Sequence, residues 1–162
     1  YALLLTENIY NVAVARTIAL LRAAHSVGFL LTLATYFLLL QTILAYRFPG
    51  VINALLVGLV TYPLTLQILW ATNLEPYIGK PVKDLTLVIT VVCVELAWIF
   101  ALWPVRTTLL ALFLTTVFYG LVGMGQQYLS DRLYKRTVWE FFGVVAIVFA
   151  ILLLTVNWRA AI

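Results

Sequence analysis

The stretch "DLTLVITVVCVELAWIFALWP", residues 84–104, holds a single charged side chain, Glu95, between its opening Asp84 and its closing Pro104. An α-helix rises 1.5 Å per residue, so roughly 20 such residues cover the hydrocarbon core of a bilayer, about 30 Å. A run this long and this apolar reads as a membrane-spanning helix. Four more runs of that kind occur, at about 26–46, 51–73, 107–129 and 138–158, each bounded by charges, Pro or Gly. The expected fold class is therefore all-α: an integral membrane helical bundle with about five transmembrane helices, forming a single domain over 1–162.

Composition points the same way. Hydrophobic residues make up 65% of the chain and charged residues 10%, and mean hydropathy is +1.09. Soluble domains run at about 45–50% apolar and about 25% charged. No soluble domain of any size fits outside the spans. The net charge of +4 comes from ten Lys and Arg scattered between apolar blocks, a pattern that sets membrane topology rather than forming a stripe for nucleic acid. The bilayer is the expected partner, and nucleic acid is not. The single cysteine, Cys93, rules out an internal disulfide and a cysteine-rich zinc site, and its apolar setting marks it as a small packed hydrophobe.

Charge also orients the bundle, because short cytoplasmic loops retain Lys and Arg. Arg16, Arg22, Lys80, Lys83, Arg132, Lys135 and Arg136 fall on one side, against Arg47, Arg106 and Arg159 on the other. The expectation is a multi-pass protein of the inner (cytoplasmic) membrane, N-terminal segment inside and C-terminus outside. Interfacial aromatics form two belts: Tyr46, Trp103 and Trp158 outside; Trp70, Tyr77, Tyr128, Tyr134 and Trp139 inside. The connections 47–50 and 104–106 are so short that the helices they join must be antiparallel neighbours.

The run "TENIYNVAVARTIALLRAAH" (6–25) has helical composition but carries many polar groups, with Glu7, Asn8, Asn11, Arg22 and His25 on one face. It reads as an interfacial helix, as an extension of the first span, or as a polar face docking on another subunit. The chain opens on "YALLL" without Met, which suggests upstream residues and the tail of a preceding span.

Glu95 is the main candidate for function. It lies 11 residues past Asp84, about 16 Å along the helix and close to the bilayer midplane, where a charged acid costs roughly 3 kcal/mol, so it should be neutral, paired or facing a wet cavity. Its own helical face, Val88, Val91, Val92, Trp98, Ile99 and Leu102, offers no partner beyond the Trp98 indole. Gln67, Tyr62 and Thr65 on the second span, Tyr36 on the first, and Thr115, Thr116 and Tyr119 on the fourth are the polar groups at membrane depth. Three readings stay open: packing glue between helices, a proton, quinone or substrate site, and contact with another subunit. Pro63 should kink the second span and could open a cavity lined by Tyr62, Thr65 and Gln67.

Other motifs carry less. His25 could ligate a haem or pigment metal, yet no second His exists to complete a bis-histidine site, and an interfacial role is the plainer reading. "GLVGMGQQ" (120–127) mimics a phosphate loop, but it lies inside a helix, so Gly120, Gly123 and Gly125 read as close helix packing. "TVWE" (137–140) reads as a capping box in which Thr137 starts the fifth helix, and Arg136 is spaced to pair with Glu140. No Ser/His/Asp set, metal motif or pair of catalytic carboxylates is present, which argues against an enzyme.

At "TENIYNVAVARTIALLRAAHSVGFLLTL" (6–33), "WPVRTTLLALFLTTVFYGLVG" (103–123) and "RLYKRTVWEFFGVV" (132–145), the chain resembles an uncharacterised family of bacterial polytopic membrane proteins, a domain of unknown function found in green non-sulfur and candidate-phylum bacteria. The resemblance implies further spans upstream and a setting in a photosynthetic or respiratory membrane. It lends no catalytic residues. The function expected is a non-enzymatic integral membrane subunit or assembly component, with other membrane subunits as partners. The alternative is a small carrier or a quinone- or pigment-binding protein that uses Glu95 and the Pro63 kink. The cofactor, if any, is left open.

Overall fold

A computed structural model of the chain describes the backbone of residues 18–73, 77–130 and 134–155, and side chains over 24–72, 77–130 and 134–155. These residues form five helices: α1 (Ile18–Ala45), α2 (Gly50–Asn73), α3 (Lys80–Ala101), α4 (Thr107–Leu129) and α5 (Lys135–Thr155). Each is long and apolar enough to cross a membrane. The protein is a membrane-embedded helical bundle.

The apolar runs locate all five helices, while their ends follow local chemistry. α1 extends back through Arg22 and His25 to Ile18, so residues 18–25 extend the first span rather than forming a separate helix. Residues 6–17 lie outside the described residues. α3 starts four residues before Asp84 because Pro81 sits in its first turn, where a missing N–H costs nothing. It ends at Ala101, short of Trp103 and Pro104. α5 begins at Lys135, and Val138 N–H donates to Tyr134 O. Thr137 is thus inside the first turn and does not cap it, which corrects the capping-box reading. Glu140 instead accepts from Arg136 Nε at 3.1 Å.

α4 is the hub and packs against all four other helices. α1 and α3 each pack on α2 and α4, whereas α5 rests on α4. Lipid supplies little hydrophobic drive for association, so close approach and interhelical hydrogen bonds hold such bundles together. Both are present. A Cβ on Gly123 would meet the Phe141 ring at 2.5 Å, and one on Gly125 would lie 3.2 Å from Leu69 Cδ2. The glycines of "GLVGMG" are contact points for α5 and α2, as their spacing suggested. Gly58 does the same for α2 against α3, with a Cβ position 2.8 Å from Val94 Cγ2.

The polar centre of the bundle is Tyr36, which is fully buried. Its hydroxyl lies 3.0 Å from Thr61 Oγ1 on α2 and near the Cys93 thiol on α3. Its ring stacks on Phe118 of α4 at 4.1 Å. One α1 side chain therefore joins three other helices. Cys93 is buried and packed, as expected.

The aromatic belts follow the helix ends. Tyr46 and Trp103 sit at the end where α1 and α3 finish; Trp70, Tyr77, Tyr128, Tyr134 and Trp139 sit at the opposite end. Trp158 lies outside the described residues.

Candidate functional site

Glu95 is exposed on α3, while Cys93 and Ala97, two residues to either side, are buried. The 100° step of the helix explains this: Cys93 and Ala97 face α2 and α4, so Glu95 is turned outward. Around it Val88, Val91, Trp98, Ile99 and Leu102 are exposed, while Val92, read onto the same face, is half-buried. Among the described residues Glu95 has no hydrogen bond and no ion pair. It lies about 9 Å of helix rise from the Ala101 end and about 22 Å from Lys80. It is therefore somewhat off the middle of α3. Cα–Cβ bonds tilt toward a helix's N-terminus, so the carboxyl leans back toward the membrane centre and away from the nearer surface.

The other sequence candidates do not gather around it. Gly50 packs beside Ala101 and Gly58 beside Val94. In that antiparallel register Tyr62 sits roughly 8 Å, and Gln67 roughly 15 Å, along the bundle from the level of Glu95. Tyr62 is exposed, Gln67 is half-buried and engaged within the chain, and Pro63 is exposed inside an unbroken α2. Thr65 is fully buried and donates to Thr61 O at 2.7 Å. Tyr62, Thr65 and Gln67 thus line no common wall at Pro63. His25 is half-buried and engaged, near the start of α1 and about 30 Å of helix rise from its Ala45 end, whereas Glu95 lies about 9 Å from the Ala101 end of α3. Among the described residues no three His, Cys, Asp or Glu side chains come together where a metal ion could be held.

The cavity that stands out is elsewhere. It measures about 500 Å³ and lies between the α1–α2 and α3–α4 connections. Leu44, Phe48, Phe100, Trp103 and Leu110 form its apolar wall; Arg47, Arg106, Asn53 and Thr107 contribute polar groups. Sequence reading treated Arg47 and Arg106 only as topology markers. They are far apart in the chain, and two antiparallel hairpins are needed to bring them to one opening.

A family model described as Protein of unknown function (DUF5656) matches residues 9–155. The chain belongs to that family. The match spans all five helices from the first span to Thr155, and it agrees with the resemblance to a domain of unknown function read at 6–33, 103–123 and 132–145. Neither curated proteins nor solved structures give a match to this DUF5656 chain.

Proposed function

We propose that this DUF5656 protein is a non-enzymatic subunit or assembly component of a larger membrane complex, and that the outer face of α3 around Glu95 receives a transmembrane helix of a partner. The observation that carries this reading is the exposed, unpartnered carboxyl of Glu95 within an apolar span. Facing lipid alone, it would cost roughly 3 kcal/mol even at the lenient end of the range. A partner helix with a hydrogen-bonding side chain at that depth would recover about 0.6–2 kcal/mol and close the site to lipid. The flanking Val91, Trp98 and Ile99 supply the apolar contact.

The orientation with the N-terminal segment in the cytoplasm and the C-terminus outside, in the cytoplasmic membrane, belongs to the same proposal. It is supported by Lys80, Lys83, Lys135 and Arg136 at one end of the bundle against Arg47 and Arg106 at the other. A carrier or lipophilic-cofactor site built on Glu95 and Pro63 has less support, since Gln67 lies roughly 15 Å along the bundle from the level of Glu95 and Thr65 is buried.

The test is purification from native membranes in mild detergent, comparing wild type with Glu95→Leu. Wild type should carry a partner in fixed stoichiometry, and the variant should lose it while melting at the same temperature or higher. A wild-type protein that is only monomeric, or a variant that keeps its partner, refutes the proposal.

A further inference from the structure

Gly58 of α2 meets Val94 of its antiparallel neighbour α3. In two helices of the same hand that run in opposite directions, the residues that follow a contact pair turn by 100° to the same side of the pair. Leu59 and Glu95 therefore face one way. Burial agrees: Val57, Thr61 and Thr65 on α2, with Cys93 and Ala97 on α3, are buried, whereas Leu59, Tyr62, Pro63 and Glu95 are exposed. One residue of rise in opposite directions sets Leu59 and Glu95 roughly 3 Å apart in depth.

Pro63 gives this face a second polar point. Proline has no N–H, so the carbonyl of Leu59, four residues earlier, loses its helical donor. Within membranes such carbonyls are re-satisfied by neighbouring helices or by Ser and Thr side chains. The two hydroxyls nearest in the helix are spent elsewhere: Thr61 Oγ1 donates to Val57 O at 2.6 Å and Thr65 Oγ1 to Thr61 O at 2.7 Å. A helical carbonyl runs along its helix from Leu59 toward Pro63, and both residues are exposed. Leu59 O thus opens to the same side as the Glu95 carboxyl.

We propose that the partner helix received at Glu95, a reading on which this inference rests, reaches across to α2 and carries an Asn or Gln whose carboxamide meets both groups. One amide N–H donates to Leu59 O. The rest of the amide pairs with the Glu95 carboxyl in either protonation state, because a carboxamide both donates and accepts. Packed helix axes lie about 8–10 Å apart, too wide for a Ser or Thr hydroxyl, a single polar atom, to touch both groups. A Lys or Arg would have to be carried at a depth where charge is costly. Asn and Gln hydrogen-bond across membrane helices without that cost. Leu55 and Tyr62 on α2 and Val91 and Trp98 on α3 are exposed beside the two groups and supply apolar contact.

Purification from native membranes in mild detergent tests the proposal through Pro63→Ala and Pro63→Leu. Both restore the N–H at position 63 and close the bond to Leu59 O, and they differ in bulk. Each should melt at the wild-type temperature or above and hold the partner about fivefold less tightly. Glu95→Gln should keep the partner to within about twofold, since one carboxamide pairs with another, whereas Glu95→Leu releases it. A benzophenone amino acid at Leu59 should capture the same partner as one at Val91. Full retention of the partner by both Pro63 variants, its release by Glu95→Gln, or an adduct at Leu59 with lipid alone or with a second copy of this chain overturns the proposal and leaves the partner at Glu95 standing. A partner kept by Glu95→Leu refutes the partner at Glu95 itself.

Discussion

Gly58 on α2 and Val94 on α3 meet so closely that a Cβ on the glycine would lie 2.8 Å from Val94 Cγ2. With Val94 held against α2, Cys93 buried on one side and Ala97 on the other, Glu95 can only face out of the bundle. The outward carboxyl is a consequence of helix packing. Gly58→Ala should therefore destabilise the protein by about 1–3 kcal/mol, because the branched Val94 side chain has little freedom to move aside. Adding Val94→Ala should recover part of that loss. Thermal melts in detergent of both variants check this; a Gly58→Ala protein as stable as wild type would contradict the close contact.

Gly123 is to α5 what Gly58 is to α3. The Phe141 ring fills the space a Cβ would take, and α5 has contact with α4 but not with α1. Gly123→Val should loosen α5 and leave the α1–α4 core in place. Hydrogen exchange should rise along Lys135–Thr155 and stay near wild type over Gly50–Asn73. Uniform loss of protection would show that α5 is not a separately held element.

Tyr36 bonds to Thr61 at 3.0 Å and stacks on Phe118. Tyr36→Phe keeps the stack and removes the hydroxyl, at a cost of about 1 kcal/mol. Thr61 retains its 2.6 Å bond to Val57 O, so no hydroxyl donor is orphaned. Tyr36→Ala adds a cavity, and its cost should reach about 3–5 kcal/mol. Denaturation of the two variants in detergent separates the contributions.

The start of α5 offers a discriminating control. Thr137 lies within the helix, so Thr137→Ala should change stability by less than about 0.5 kcal/mol, whereas loss of a true N-cap costs about 1 kcal/mol. Glu140→Ala should be similarly mild, since the Arg136–Glu140 pair is largely exposed on both sides.

The five spans were legible because lipid imposes one requirement, a continuous apolar run of sufficient length, and the sequence shows it directly. The packed place of Cys93 was legible from its apolar setting, whereas the outward face of Glu95 was not, because the 100° step sets the two residues on opposite sides of α3 without saying which side meets the bundle. Helix ends were less legible: Lys80, Pro81 and Lys83 look like loop residues, yet a first helical turn accepts both charge and proline. What depends on register between distant segments was not legible. Tyr36, Thr61 and Cys93 come together only once α1, α2 and α3 are aligned in depth, although the short 47–50 connection could have suggested the α1–α2 part. Arg47, Asn53 and Arg106 meet only through two hairpins, and counting charges by side recorded the arginines without showing that they share a cavity.

On the proposed function, the α3 face at Glu95 is covered by a protein partner. Photo-crosslinking in native membranes tests it most directly, with a benzophenone amino acid placed at Val91 or Ile99, one turn either side of Glu95, and at the exposed Ile147 on α5 as a control. One discrete protein adduct is expected from both α3 positions, lost when Glu95→Leu is added, and no such adduct from the control. Lipid adducts alone at Val91 and Ile99 would contradict it.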